Sequence, residues 1–235
     1  MKIVILAGGL GTRISEETEN KPKPMVLLNE KPILWHLMNV FSKQGYKDFV
    51  LALGYKQEVA RSWAQSFNNT ENWTIDAFDT GLETQTGGRI KRCMQKYLGQ
   101  RLLITYGDGL ANVSIQKLLD FHLSHGKLAT VTAVRPPARF GYLHIEEKKV
   151  TKFGEKIQSD EGWINGGFFI LEPQVIDYIN SDSDLFETSS LPDLAQSGEL
   201  MAFQHDGFWK PMDTLREKNE LEDLSRQTLP PWLNL

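Results

Sequence analysis

Near the start of this 235-residue chain, three glycines, an arginine and a lysine stand close together. Met1-Lys-Ile-Val-Ile-Leu-Ala-Gly-Gly-Leu-Gly-Thr-Arg13 runs an apolar segment into a glycine-rich turn, and Lys21-Pro-Lys-Pro24 follows. Glycine lets a ligand approach the main chain closely, so Gly8, Gly9 and Gly11 after Leu6 and Ala7 can open the backbone to an anion. Successive N–H groups in such a turn form a concave anion site. Thr12 adds a hydroxyl, and Arg13 adds a charged fork matched to phosphate oxygens. The pattern is neither of two familiar glycine motifs. Position 14 is Ile14 where a dinucleotide fingerprint needs its third glycine, and no Gly-Lys-Ser/Thr completes a P-loop.

Lys23 lies between two prolines, each of which fixes its own φ and pushes the residue before it towards extended geometry. That predicts a stiff, extended backbone and an aimed ammonium. Tyr106-Gly-Asp-Gly109 sits at the end of a predicted strand, where ligands of open α/β sheets bind. Asp108 there is either a turn residue or a carboxylate left clear for a ligand, such as a magnesium ion shared with substrate phosphates. Asp213, in Pro211-Met-Asp-Thr214, reads as a helix N-cap, a first-turn acid or a second metal carboxylate. Only the fold can bring it to Asp108.

Asp79 to Arg89 is a polar loop that opens a helix, suited to an anion at the helix N-terminus or to the edge of a base. Glu155-Lys156 and Asn165-Gly-Gly167 interrupt otherwise apolar elements, and glycine within a strand marks close approach by a ligand. His36, His122, His125, His144 and His205 have no metal-binding spacing and read as structural or surface residues. Cys93 is the single cysteine and reads as a buried thiol on the inner face of a helix. No nucleophile elbow is present.

The elements that must carry these residues follow from periodicity. Strands are expected over 2–7, 48–53, 73–78, 101–106 and 129–134, of which 2–7, 48–53 and 101–106 read as short buried strands of a parallel sheet. Helices are expected over 32–44, 57–66, 86–98 and 115–125, the first opened by Pro32 and closed by Gly45. This alternation predicts an α/β fold with a mostly parallel sheet and helices on both faces. After Pro136 the pattern changes. Strands over 142–145, 150–153 and 163–171 predict a small antiparallel extension, and short helices are expected over 173–179 and 191–196. A last helix is expected from Thr214 to Ser225, and 180–190 reads as loop.

Hydrophobic residues make up 40% of the chain, enough for a sizeable core. The net charge of −4 gives no basic stripe for nucleic acid. No run is long and apolar enough to span a membrane and no signal-peptide pattern is present, so a cytoplasmic enzyme is the default expectation.

Taken together, these motifs resemble the sugar-1-phosphate nucleotidyltransferases, whose signature is the stretch from Gly8 to Arg13 with Lys21-Pro-Lys-Pro24. Within that family the chain is most similar to the cytidylyltransferases that act on glucose 1-phosphate. That likeness rests on Thr86-Gly-Gly-Arg89, Ile164-Asn-Gly-Gly-Phe-Phe169 and Gly207-Phe-Trp-Lys-Pro-Met-Asp-Thr-Leu-Arg216. The resemblance implies a Rossmann-like three-layer sandwich in one domain, 1–135 serving the nucleotide and 136–235 the sugar phosphate. It implies transfer of CMP from CTP to α-D-glucose 1-phosphate, releasing pyrophosphate. Arg13 and Lys23 would be catalytic. Leu6 to Gly9, Gly11, Thr12, Thr86, Gly87, Gly88, Arg89 and Asp108 would bind the nucleotide. Gly107, Glu155, Lys156, Asn165 and Gly166 would face the sugar phosphate, and Asp108 and Asp213 would hold Mg²⁺. Where these relatives carry Glu-Lys-Pro, this chain has Ile157. The resemblance leaves room for a homo-oligomer, for another nucleotide or phosphorylated acceptor, and for a nucleotide-sensing scaffold without activity.

Overall fold

The computed structural model describes residues 1–9, 11, 14–66, 71–136, 142–154 and 162–235. The first half of the chain gives β1 (Lys2–Ala7), α1 (Ser15–Thr18), β2 (Leu27–Leu28), β3 (Lys31–Pro32), α2 (Ile33–Lys43), β4 (Asp48–Leu53), α3 (Gln57–Ser66), β5 (Thr74–Asp79) and α4 (Thr86–Lys96). Then come β6 (Leu102–Tyr106), β7 (Gly109–Ala111), α5 (Ile115–His125), β8 (Ala129–Val134), β9 (Tyr142–Glu146) and β10 (Lys149–Gly154). The last part gives β11 (Ile164–Asn165), β12 (Phe169–Leu171), α6 (Ser190–Gln196), β13 (Leu200–His205), β14 (Trp209–Pro211) and α7 (Leu215–Ser225). Short 3-10 turns cover Lys23–Met25, Pro173–Tyr178 and Pro231–Leu233.

Eight strands form the main sheet. β6, β1, β4 and β5 lie side by side in parallel, β8 and β13 are parallel to each other, and β12 runs antiparallel between β6 and β8. The fold is thus α/β with a mostly parallel mixed sheet, and β9 with β10 forms a separate antiparallel pair. Strand β1 shows why its sequence is apolar from Ile3 to Ala7. Ile3, Ile5 and Ala7 enter the core that includes α2, α5 and α7, while Val4 and Leu6 enter the core that includes α4 and α6. The two-residue period of a strand feeds both cores at once. Each fully buried branched side chain contributes about 1.5–3 kcal/mol. Cys93 lies in the second core with its thiol pushed up to about 12 by burial, which removes it from thiolate chemistry.

Four expectations need correction. The strand expected over 163–171 is two pieces, β11 and β12. Gly167 (φ +76°) and Phe168 (φ +48°) turn the backbone left-handed between them, and a Cβ at Gly166 would lie 2.6 Å from Val134 Cγ1. β13, to which the periodicity assigned nothing, pairs in parallel with β8 from Leu200 to His205. The cap of α7 is Thr214, not Asp213. Thr214 and Glu217 form a reciprocal capping box. Lys23 opens a 3-10 turn rather than an extended segment. Pro22 before it is extended (ψ 153°), and Met25 N–H donates to its carbonyl at 2.8 Å.

Candidate active site

A cavity of about 830 Å³ opens at the carboxyl ends of β1 and β6. The glycine turn supplies Gly8, Gly9 and Gly11 to its wall, and Gly107 to Gly109 face them from beyond β6. Asn165 and Gly166 enter from the break between β11 and β12. Gly107 permits this close approach, because a Cβ there would meet Pro24 Cγ at 2.8 Å and the Leu6 carbonyl at 3.0 Å.

Lys23, Asp108 and Asp213 meet at one point of this cavity. The Lys23 ammonium donates to Asp108 Oδ2 and to Asp213 Oδ1, both at 2.6 Å. The side chains are 8%, 29% and 19% exposed respectively, so a nearly buried cation faces two carboxylates still open to the cavity. The two aspartates are joined by the two-stranded ladder of β7 and β14, in which Gly109 pairs with Pro211. Met212 N–H then donates to the Asp108 carbonyl at 2.8 Å, carrying the ladder one step further. Two carboxylate oxygens gathered around one positive atom are the donor set a small divalent cation would use, with substrate phosphates and water completing its shell. The fit of such a cation to this site therefore rests on the position of the Lys23 ammonium itself. Among the described residues no cluster holds three or more potential acidic, histidine or cysteine ligands.

The glycine turn is fixed from beneath by Arg89. This side chain, 4% exposed, donates Nη1 to the carbonyls of Leu53 (3.0 Å) and Gly81 (2.8 Å) and to Thr80 Oγ1 (2.7 Å). Its Nη2 donates to the carbonyls of Gly8 (3.0 Å) and Leu82 (3.4 Å). One guanidinium thus ties the ends of β1, β4 and β5 to the first turn of α4. A Cβ at Gly8 would come within 2.4 Å of that guanidinium and one at Gly54 within 2.5 Å, so both glycines are dictated by Arg89. Arg89→Met removes every one of these bonds while keeping an unbranched side chain. Because the Gly8 and Leu53 carbonyls keep other donors, the expected loss is about 2–4 kcal/mol. The thermal unfolding midpoint should fall by about 5–12 °C, and a fall under about 2 °C would contradict the role assigned to this side chain.

The expected nucleotide residues are not all on the wall. Leu6, Ala7, Gly8, Gly9, Gly11, Lys23, Thr86, Arg89 and Asp108 line the cavity, as do Gly107, Asn165, Gly166 and Asp213. Gly87 and Gly88 do not. They lie under the 182–184 segment, where a Cβ would meet Asp184 O at 2.8 Å and Asp182 Cα at 2.5 Å. Their glycine identity answers to chain packing. Thr12, Arg13, Glu155 and Lys156 lie outside the described residues. The sequence reading missed Glu187, Tyr106 and Trp209, which also line the cavity. Trp209 Nε1 donates to the Gly166 carbonyl at 2.9 Å and so steadies the strand break. Glu187 fell in a polar segment with no motif to signal it.

A glycine turn at the end of the first strand has a lysine and two aspartates gathered across it, the groups that a polyphosphate beside a cation would use. The model of the nucleotidyl transferase family matches residues 2–217, and the chain belongs to that family. It is 47% identical to a glucose-1-phosphate cytidylyltransferase of Salmonella typhi, over 99% of this chain and 98% of that one. A probable glucose-1-phosphate cytidylyltransferase of Bacillus subtilis is 39% identical, over 99% of each. Among solved structures, HddC from Yersinia pseudotuberculosis superposes with a TM-score of 0.74 at 27% identity, covering 96% of this chain and 99% of that one.

Proposed function

We propose that this protein transfers CMP from CTP to α-D-glucose 1-phosphate, giving CDP-glucose and pyrophosphate. The observation that carries the reaction class is the meeting of Lys23, Asp108 and Asp213 beside the glycine turn. The near full-length likeness to cytidylyltransferases supports the choice of substrates. A phosphate oxygen of the acceptor attacks the α-phosphorus of CTP, and the bond from that phosphorus to the bridging oxygen of pyrophosphate breaks. The acceptor phosphate, with a second pKa of about 6, is already largely dianionic near neutral pH and needs no general base. The residues of the site then have two tasks, to relieve repulsion between two anions and to align them in line.

In this reading the glycine turn, held rigid by Arg89, positions the triphosphate, and Arg13 and Lys23 place positive charge against it. Asp108 and Asp213 would hold a magnesium ion, which when bound supplies further charge against the phosphates. Thr86 and Arg89 stand on the nucleotide side. Asn165 and Gly166 face the acceptor, to which the resemblance also assigns Glu155 and Lys156. A pyrophosphate-release panel of nucleoside triphosphates against several phosphorylated acceptors, with Mg²⁺, tests the proposal. CTP with glucose 1-phosphate should give the highest kcat/KM. No release with any sugar 1-phosphate would overturn it, and a different preferred pair would reassign the substrates.

A further inference from the structure

The segment between Pro173–Tyr178 and α6 brings a carboxylate into the cavity where no motif predicts one. Phe186 is buried and packs edge-on against Phe169, with centroids 5.6 Å apart, which fixes the chain just before Glu187. The segment also clamps the start of α4. Gln85 N–H donates to the Asp182 carbonyl at 2.8 Å and Gly87 N–H to that of Asp184 at 2.9 Å. Two hydroxyls then hold the Glu187 carboxylate. Thr86 Oγ1 donates to its Oε2 and Tyr106 Oη to its Oε1, both at 2.6 Å.

The proton count of this wall decides what it can recognise. Each hydroxyl has one proton, and both are spent on Glu187. The same hydroxyls accept bonds from behind, Thr86 from Phe186 N–H at 3.0 Å and Tyr106 from Asn165 Nδ2 at 3.2 Å. Burial, together with the adjacent Glu187 carboxylate, pushes the Tyr106 phenol well above its ordinary value, so it remains a donor. Asn165 Oδ1 is engaged by Gly167 N–H at 2.8 Å. An ionised carboxylate offers about four acceptor sites and donates nothing, and two are taken here. The remaining capacity of Glu187 accepts protons and repels anions, whereas the Lys23 end of the same cavity attracts anions.

We propose that Glu187 is a specificity-determining residue of the acceptor half, accepting hydroxyl protons from the neutral, polyhydroxylated part of a sugar phosphate. This rests on the sugar 1-phosphate acceptor proposed above. The carboxylate and the Lys23 end together orient such an acceptor, hydroxyls towards Glu187 and phosphate towards the cation. Because Thr86 and Tyr106 hold it from the nucleotide side and the acceptor side respectively, Glu187 sits between the two substrates and reads the second.

The test uses the full chain with glucose 1-phosphate and its monodeoxy analogues as acceptors, and compares wild type, Glu187→Ala and Glu187→Gln. The alanine variant should raise the KM for glucose 1-phosphate by about ten- to a hundredfold while changing the KM for CTP by less than about threefold. One monodeoxy analogue should be poor with wild type yet used by the variant as well as glucose 1-phosphate is. The near-isosteric glutamine variant should show the same pattern, so the inference stays testable if the alanine variant unfolds. An equal rise in the KM for CTP, or an equal loss with every analogue, would reduce Glu187 to a structural residue and overturn the inference. Wild type inactive with every nucleotide and sugar 1-phosphate would instead overturn the proposed function.

Discussion

Asp108→Asn is expected to lower kcat by about three orders of magnitude or more while the protein still folds. The asparagine carbonyl can still accept from the Lys23 ammonium, so the contact at 2.6 Å has a neutral replacement. The ladder of β7 and β14 depends on backbone bonds, and the one at this position uses the Asp108 carbonyl rather than its side chain. What disappears is one of the two charges that would draw a divalent cation to the site. Two readouts therefore separate chemistry from folding. Pyrophosphate release should collapse, and the thermal midpoint without cation should stay within a few degrees of wild type. The rise in midpoint on adding Mg²⁺ should shrink or vanish. Near-normal turnover in this variant would refute the assignment of Asp108 to the cation.

Lys23→Met should reduce kcat/KM for the nucleotide by about two to three orders of magnitude, the range for loss of a charged group aimed at transferring phosphates. A second consequence has the opposite sign. In the folded protein the Lys23 ammonium stands between Asp108 and Asp213, at 2.6 Å from each. Methionine leaves two partly exposed carboxylates close together without that cation, and like charges that share a site repel each other. An added divalent cation relieves this, so it should raise the melting temperature more for the variant than for wild type. In wild type the ammonium competes for the same oxygens. Retained activity would refute the first role of Lys23, and equal shifts in the two proteins would refute the second.

The sequence revealed the middle of the sheet well because β1, β4, β6 and β8 are buried on both faces. Lys2–Ala7, Asp48–Leu53 and Ala129–Val134 are short apolar runs that a helix would not explain, and Ser114 and Gly126 mark the ends of the helix Ile115–His125. The failures share a cause. β13 alternates between half-buried and exposed positions at the sheet edge, so its pattern is weak, and its partner β8 lies about seventy residues earlier. The break at Gly166 to Phe168 is set by contact with Val134 and Thr132, which lie across the sheet. The site was half legible for the same reason. The glycine turn and Lys23 announce themselves locally. The resemblance assigned Gly87 and Gly88 to the nucleotide, and it is the 182–184 segment that packs against them. Glu187 was invisible because its meaning depends on Thr86 and Tyr106, 101 and 81 residues away.

The separation of Lys23 from Asp108 and Asp213 also bears on how the protein is made. The partners of Lys23 lie 85 and 190 residues further along the chain. As the chain leaves the ribosome, β1 and the glycine turn emerge before Asp108 and Asp213, and a domain tends to fold as a unit during synthesis. The residues of the glycine turn are therefore made long before the second carboxylate is. Until residue 213 has been made and β14 has docked on β7, the Lys23 ammonium lacks its second carboxylate partner. The meeting of all three side chains arrives late and all at once, with the last carboxylate.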